Sequence, residues 1–186
     1  MPIDTQLQAR FESCVDACAD SMYRVAYRMT GNGTLANELV QETYLNAWKN
    51  IESLSDPSKM RGWMFSILRN QYTKLIRKEV KAANTTEFLD QVAEQPADDQ
   101  REQVVDEIQK ALAELDEKHK LPLLLVSMEG MAVEQAAEVL ELPRGTVLSR
   151  LHRGREKLKT ILMRNENRRI QTEHGVNKRE EVGDEL

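Results

Sequence analysis

The sequence predicts an all-α protein of two small helical domains joined by a flexible acidic linker. Apolar residues recur at three- and four-residue spacing along most of the chain, and no stretch alternates as a strand would. The 186 residues are 31% charged, 40% hydrophobic and 5% aromatic, with 8 Gly and 5 Pro, the profile of a helical globular chain. That profile excludes collagen-like, mucin-like and Gly/Ser-rich classes. Charge, net −5 over the whole chain, is sorted into blocks. Lys59 to Lys81 carries seven basic residues against Glu79 alone, and Pro143 to Thr160 carries six against Glu156 alone. Between them, Ala82 to Gln103 holds six acidic residues against Arg101.

Each element has its own signal. Phe11, Val15, Cys18, Met22, Val25 and Met29 set out a first helix, closed by Gly31-Asn32-Gly33. A second helix is expected from Leu35 to Ile51 and a third from Gly62 to about Lys81. The acidic block, with Asn84-Thr85-Thr86, Pro96 and few large apolar residues, is too polar to build a core and is expected to be the linker. Downstream, Val104, Val105, Ile108, Ala111, Leu112 and Leu115 share a helix face, and a further helix is expected to start at Pro122 and run to Met128. Val133, Ala136, Ala137 and Leu140 mark a short helix, and Val147, Leu151 and Leu158 a longer one to about Met163. The expected organisation is a domain over 1–81, a linker over 82–103, a domain over 104–163 and a polar, frayed tail over 164–186.

Several functions are set aside at this level. The longest apolar run, Leu121 to Val126, contains Pro122 and falls far short of the roughly 20 residues a membrane span needs. Asp4, Arg10 and Glu12 leave no apolar stretch for a secretory signal, so a cytoplasmic location and no membrane insertion are expected. Cys14 and Cys18 read as buried core thiols, because His119, His152 and His174 stand at no metal-ligand spacing to them. The chain shows no Gly-rich phosphate loop, nucleophile elbow or metal cluster, so neither an enzyme nor a cofactor is expected.

The segment from Met131 to Lys159, MAVEQAAEVLELPRGTVLSRLHRGREKLK, reads as a helix-turn-helix: a short amphipathic helix, a break at Glu141-Leu142-Pro143, then a basic helix. Ala136 and Ala137 allow a close crossing. On the second helix Val147, Leu151 and Leu158 face inward, while Thr146, Ser149, Arg150, Arg153 and Lys157 line the opposite face. Charge alone fits a solvated basic face as well as it fits DNA binding. The break and the sidedness together favour DNA, with the first turns reaching base edges and later Arg and Lys residues holding phosphates.

The run LPRGTVLSRLHRGREKL resembles region 4 of the sigma-70 family, particularly the extracytoplasmic-function (ECF) sigma factors, whose recognition helix typically reads PxGTVxSRLxRAR. The resemblance implies that Arg144, Thr146, Ser149, Arg150 and Arg153, with Arg155 and Lys157, bind the minus-35 promoter element, and that this region also meets the polymerase flap. Leu148 stands where the family often has Lys or Arg, and Glu141 where the turn often has Gly.

A second stretch, MYRVAYRMTGNGTLANELVQETYLNAWKNI, is similar to region 2 of the same family, which carries DLVQETFLRAW. Glu38, Gln41, Glu42, Leu45 and Lys49 lie on one helix face. The resemblance implies that this face docks on the clamp helices of the largest subunit of core RNA polymerase, although Asn37 replaces a common acidic residue. In KMRGWMFSILRNQYTKLIRK, Met64, Phe65, Leu68, Tyr72, Leu75 and Ile76 supply a core face, and Trp63, Asn70, Lys74 and Arg77 a polar stripe. Aromatic and basic residues together suit single-stranded DNA, although the residues alone fit a buried Trp with surface lysines better. The resemblance to regions 2.3 and 2.4 implies minus-10 melting, with Asn70 and the loop from Ser53 to Met60 capturing a flipped base. Lys59, Arg61, Lys74, Arg77 and Lys78 would then hold the backbone.

The resemblance spans most of the chain and implies a two-domain ECF sigma factor. Its expected partners are core RNA polymerase, promoter DNA and a dedicated anti-sigma factor. The rival reading is a conventional helix-turn-helix regulator that binds DNA without polymerase; a purely protein-binding adaptor would leave both basic segments unexplained. The acidic linker is expected to lie near the basic faces until polymerase separates the domains.

Overall fold

A computed structural model describes residues 5–83 and 100–180. The acidic stretch from 84 to 99, and with it the expectation that it covers the basic faces, lies outside the described residues. Helix α1 (Thr5–Thr30) buries Cys14, Cys18, Met22, Val25 and Met29 at helical spacing. It stops at Gly31, whose positive φ of 68° is left-handed backbone that Gly adopts without a Cβ clash. Asn32 then caps α2 (Gly33–Lys49), its side-chain oxygen accepting from the Leu35 N–H at 3.0 Å. Two short 3₁₀ turns, Ile51–Ser53 and Pro57–Lys59, carry the chain into α3 (Met60–Ala83).

The second half begins with α4 (Gln100–Ala113). Helix α5 (Glu117–Leu123) starts five residues before the expected Pro122, because the Asp116 carbonyl already accepts from the N–H groups of His119 (2.8 Å) and Lys120 (2.9 Å). Pro122 is accommodated inside the helix, and α5 passes into a π-helical turn, Leu124–Met128, in which the Glu129 N–H reaches the Leu124 carbonyl at 3.0 Å. Helices α6 (Val133–Leu140) and α7 (Arg144–Glu180) complete the chain. Helix α7 continues well past Met163, where a tail had been expected; its later part is tied to α4 by the ion pairs Arg164–Glu114 and Arg169–Glu107. Val104 and Val105 share the expected α4 face yet are exposed, since this end of α4 lies beside polar α7 surface rather than over the core.

Both helical units are present, and they pack on each other. Val25, Met29, Phe65 and Leu68 from the first half and Leu121, Leu124, Leu125 and Leu140 from the second surround one small apolar void. Polar bonds reinforce this seam. Arg28 donates to the Val105 carbonyl (3.2 Å) and the Gln109 side chain (3.1 Å). Tyr72 reaches Glu117, and Arg61 and Arg69 reach Glu129 and Glu141. Among the described residues no helix is long and apolar enough to cross a membrane.

Candidate nucleic-acid interface

Helix α7 is set by its apolar side. Val147, Leu151 and Gly154 are buried and Leu158 is partly so. At Gly154 helix α5 crosses so closely that a Cβ would lie 3.0 Å from the His119 carbonyl oxygen. This contact fixes the roll of α7, turning Ser149, Arg153 and Lys157 outward and leaving Thr146 and Arg150 partly exposed beside them. The stripe read from the sequence is therefore assembled. Arg144 pairs instead with Glu134 of α6, and that bond holds the Glu134 carboxyl below its ordinary range. Arg155 points off the stripe, donating to Ser127 Oγ at 3.0 Å. Lys157 is shared with Asp116 at 2.8 Å, which lowers the Asp116 carboxyl.

The break before α7 takes an unexpected form. Leu142 N–H reaches the Ala137 carbonyl (3.0 Å) and Glu141 N–H the Glu138 carbonyl (3.2 Å), the Schellman pattern that commonly places Gly in the left-handed region. Here Glu141 takes that conformation, at φ 54° and ψ 45°.

Helix α3 buries Met64, Phe65, Leu68 and Tyr72, with Leu75 and Ile76 partly buried against the same cluster. Lys74, Arg77 and Lys78 are exposed; Trp63 is half buried and packs on the core. Asn70 is exposed, but its side-chain oxygen accepts from Arg69 at 2.7 Å. The preceding loop is shaped by Asp56, whose carboxylate accepts from the Ser58 N–H (2.9 Å) and hydroxyl (2.8 Å); both bonds hold its carboxyl low. Lys59 is exposed at the end of that loop.

On α2, burial of Ala36, Leu39, Thr43 and Ala47 turns Glu38, Gln41, Glu42 and Lys49 to solvent together with Leu45, which is 52% exposed. The two thiols are buried and unoxidised. A hydrogen bond between them raises Cys14 and lowers Cys18 to about 7, with Arg61 adding to the latter. Among the described residues no group of His, Cys, Asp and Glu could hold a metal ion.

Residues 14–82 match Sigma-70 region 2 and residues 106–158 match Sigma-70 region 4. The chain is 31% identical over 169 residues to the ECF RNA polymerase sigma factor SigW of Bacillus subtilis, covering 83% of this chain and 90% of that one. It is 34% identical over 149 residues to the ECF RNA polymerase sigma factor EcfG of Rhodopseudomonas palustris, covering 78% and 81%. This chain belongs to the ECF sigma factors of the sigma-70 family. Among solved structures it resembles the sigma factor RpoE of Bartonella quintana, crystallised with the anti-sigma factor NepR, with a TM-score of 0.72 and 26% identity over 82% of this chain and 96% of that one.

As a sigma factor, the chain has its region 2 match across α1 to α3 and its region 4 match from α4 into α7, so the motifs read from the sequence fall in the expected order. The side chains that sequence reasoning did not single out are Arg24, Arg69 and Glu129. The one oddity the sequence offered at this seam was Glu141, the partner of Arg69, an acid where a turn favours Gly.

Proposed function

We propose that this sigma factor directs core RNA polymerase to promoters through three separate faces. Residues 1–81 act as the region 2 unit, residues 104–163 as the region 4 unit, and 82–103 as the linker between them. On α2, Glu38, Gln41, Glu42, Leu45 and Lys49 dock on the clamp helices. On α3 and its loop, Lys59, Arg61, Trp63, Asn70, Lys74, Arg77 and Lys78 take the minus-10 strand: cations hold phosphates while an aromatic ring and an amide receive bases. On α7, Thr146, Ser149, Arg150 and Arg153 face the minus-35 major groove. Arg144, Arg155 and Lys157 supply backbone contacts, and region 4 also meets the flap.

RNA synthesis is performed by the polymerase, and the chain contributes recognition and strand separation without catalysis of its own. Flipping a base out of the duplex costs a few kcal/mol, which stacking and hydrogen bonding in the receiving pocket offset. The site of action is the cytoplasm, and a dedicated anti-sigma factor binds the protein and holds it in check; the sigma factor of Bartonella quintana was crystallised in complex with one.

The observation that carries this reading is the exposed α2 face, in which a half-exposed leucine sits among acidic and amide side chains in a chain of this family. It is tested by transcription with bacterial core polymerase on a genomic DNA library, with and without the protein, mapping RNA 5′ ends. New starts sharing two spaced upstream elements are expected. Absence of new starts with folded, inhibitor-free protein would leave the conventional DNA-binding regulator as the better reading.

A further inference from the structure

We propose that region 4 is an internal ligand of the minus-10 face: Glu129 and Glu141 occupy Arg61 and Arg69, clasp α6 onto α3, and must let go before α3 takes nucleic acid. This goes beyond the proposed function and rests on its assignment of α3.

The first clasp is a buried carboxylate. Glu129 has a side chain only 3% exposed. Arg61 donates to its main-chain carbonyl at 2.7 Å and to its carboxylate at 3.1 Å, with the Arg24 guanidinium 3.6 Å away. A carboxylate this far from water needs its cations, so closure satisfies Glu129 as much as it engages Arg61. The second clasp is at the other end of α6. Arg69, its side chain 15% exposed, bridges Glu141 Oε1 (2.6 Å) and Asn70 Oδ1 (2.7 Å). Asn70, the residue assigned to base capture, is thereby tied to region 4 as well.

The backbone at Glu141 points the same way. Left-handed conformation is strained for a residue with a Cβ, and the Schellman bonds need only a Gly. Nothing inside the helix-turn-helix uses the Glu141 side chain, whereas its contact lies 72 positions away on α3. Strain kept at a residue whose side chain, among the described residues, bonds across the seam to Arg69 marks that contact as functional.

Guanidinium groups bind carboxylate and phosphate with the same donors, so the two ligands compete. Between the clasps α6 lies against α3, with Val139 placed 3.8 Å from where a Gly62 Cβ would be. The closed chain therefore engages Arg61 of the minus-10 face and, beside Asn70 of that face, the Arg69 guanidinium, and it ties α7, three residues beyond Glu141, to α3.

The test compares full-length proteins: wild type, Glu129→Gln/Glu141→Gly, and Glu107→Gln/Glu114→Gln. The last makes the same charge change away from the seam. The probe is a fluorescein-labelled 30-nucleotide single strand of mixed sequence, titrated at several salt concentrations. The clasp variant is expected to bind at least tenfold tighter than wild type, with a salt slope steeper by about 1.4 for two added phosphate contacts. The control is expected to change less than threefold. Small-angle scattering should show a larger radius of gyration for the clasp variant alone, and Glu141→Gly by itself relieves backbone strain, keeping the helix-turn-helix folded. Equal binding by the clasp variant and the control, or a wild-type radius already that of separated units, would overturn the proposal. Promoter-dependent transcription by the wild type, measured in parallel, tests the sigma reading itself, so the two failures are distinguishable.

Discussion

The Tyr72 hydroxyl of α3 donates to Glu117 Oε1 of α5 at 2.7 Å, and the same carboxylate oxygen accepts from Lys120 Nζ at 3.1 Å. Tyr72 and Lys120 are both nearly buried, so one oxygen serves a phenol from region 2 and an ammonium from region 4. Tyr72→Phe should cost about 1.5 kcal/mol, the low end for a hydrogen bond to a charged group because the Glu117 side chain is partly exposed. Glu117→Ala should cost more, about 3 kcal/mol, because it strands the Lys120 charge. Urea midpoints that fall in the opposite order would contradict this.

Two glycines of α7 should respond with opposite signs. Gly154→Ala drives a Cβ to 3.0 Å from the His119 carbonyl oxygen, and overpacking of about 1–3 kcal/mol should outweigh a helix-propensity gain of about 1 kcal/mol. Gly145→Ala meets nothing within 4 Å and should raise the melting temperature slightly. Thermal unfolding of both variants checks the pair.

Acid should weaken the fold through His119. Burial, with Lys157 nearby, lowers its imidazole below the ordinary value of 6.5, against a smaller opposing pull from Asp116. The unfolded chain then binds a proton that the folded chain resists, so stability is complete above 6.5 and declines as pH falls below it. Asp116 and Glu134, both lowered, add their own loss only further into the acid range. Urea midpoints at pH 7.5 and 5.5 should differ in wild type, and differ less in His119→Gln.

The α7 stripe should divide by charge partner. Lys157 is already shared with Asp116, whereas Arg153 faces outward. On minus-35 duplex DNA, Arg153→Ala should reduce the salt slope by about 0.9 and Lys157→Ala by less. Arg150→Ala should instead relax sequence preference, the mark of a base-edge contact.

Leu45→Ser should separate binding from folding. The side chain is 52% exposed, so stability should change by no more than about 0.5 kcal/mol. Affinity for core polymerase, measured by fluorescence anisotropy of labelled protein, should fall at least tenfold.

Local periodicity made α1 to α3, α6 and the first half of α7 legible, because Met22, Leu68 and Val147 declare their buried faces within a few residues of sequence. The α7 stripe and the α2 face followed from the same arithmetic. Pro122 misled, since a proline signals a helix start only when no earlier carbonyl, here that of Asp116, has opened the helix. Exposed Val104 and Val105 misled for a related reason: a periodic face is buried only where another element covers it. The seam was illegible because Arg61 and Glu129 are 68 positions apart and Arg69 and Glu141 are 72 apart. Such pairs leave no trace in a short window of sequence.

The π-helical turn at Leu124–Met128 works as a phase shifter. Each added residue rotates everything downstream by about 100° around the helix axis while advancing it only about 1.5 Å. The five-residue bond from Glu129 back to Leu124 therefore selects a bearing rather than a length. A one-residue deletion here would leave a tidier spiral whose acid looks past Arg61, so insertions and deletions in this short stretch act as changes of heading.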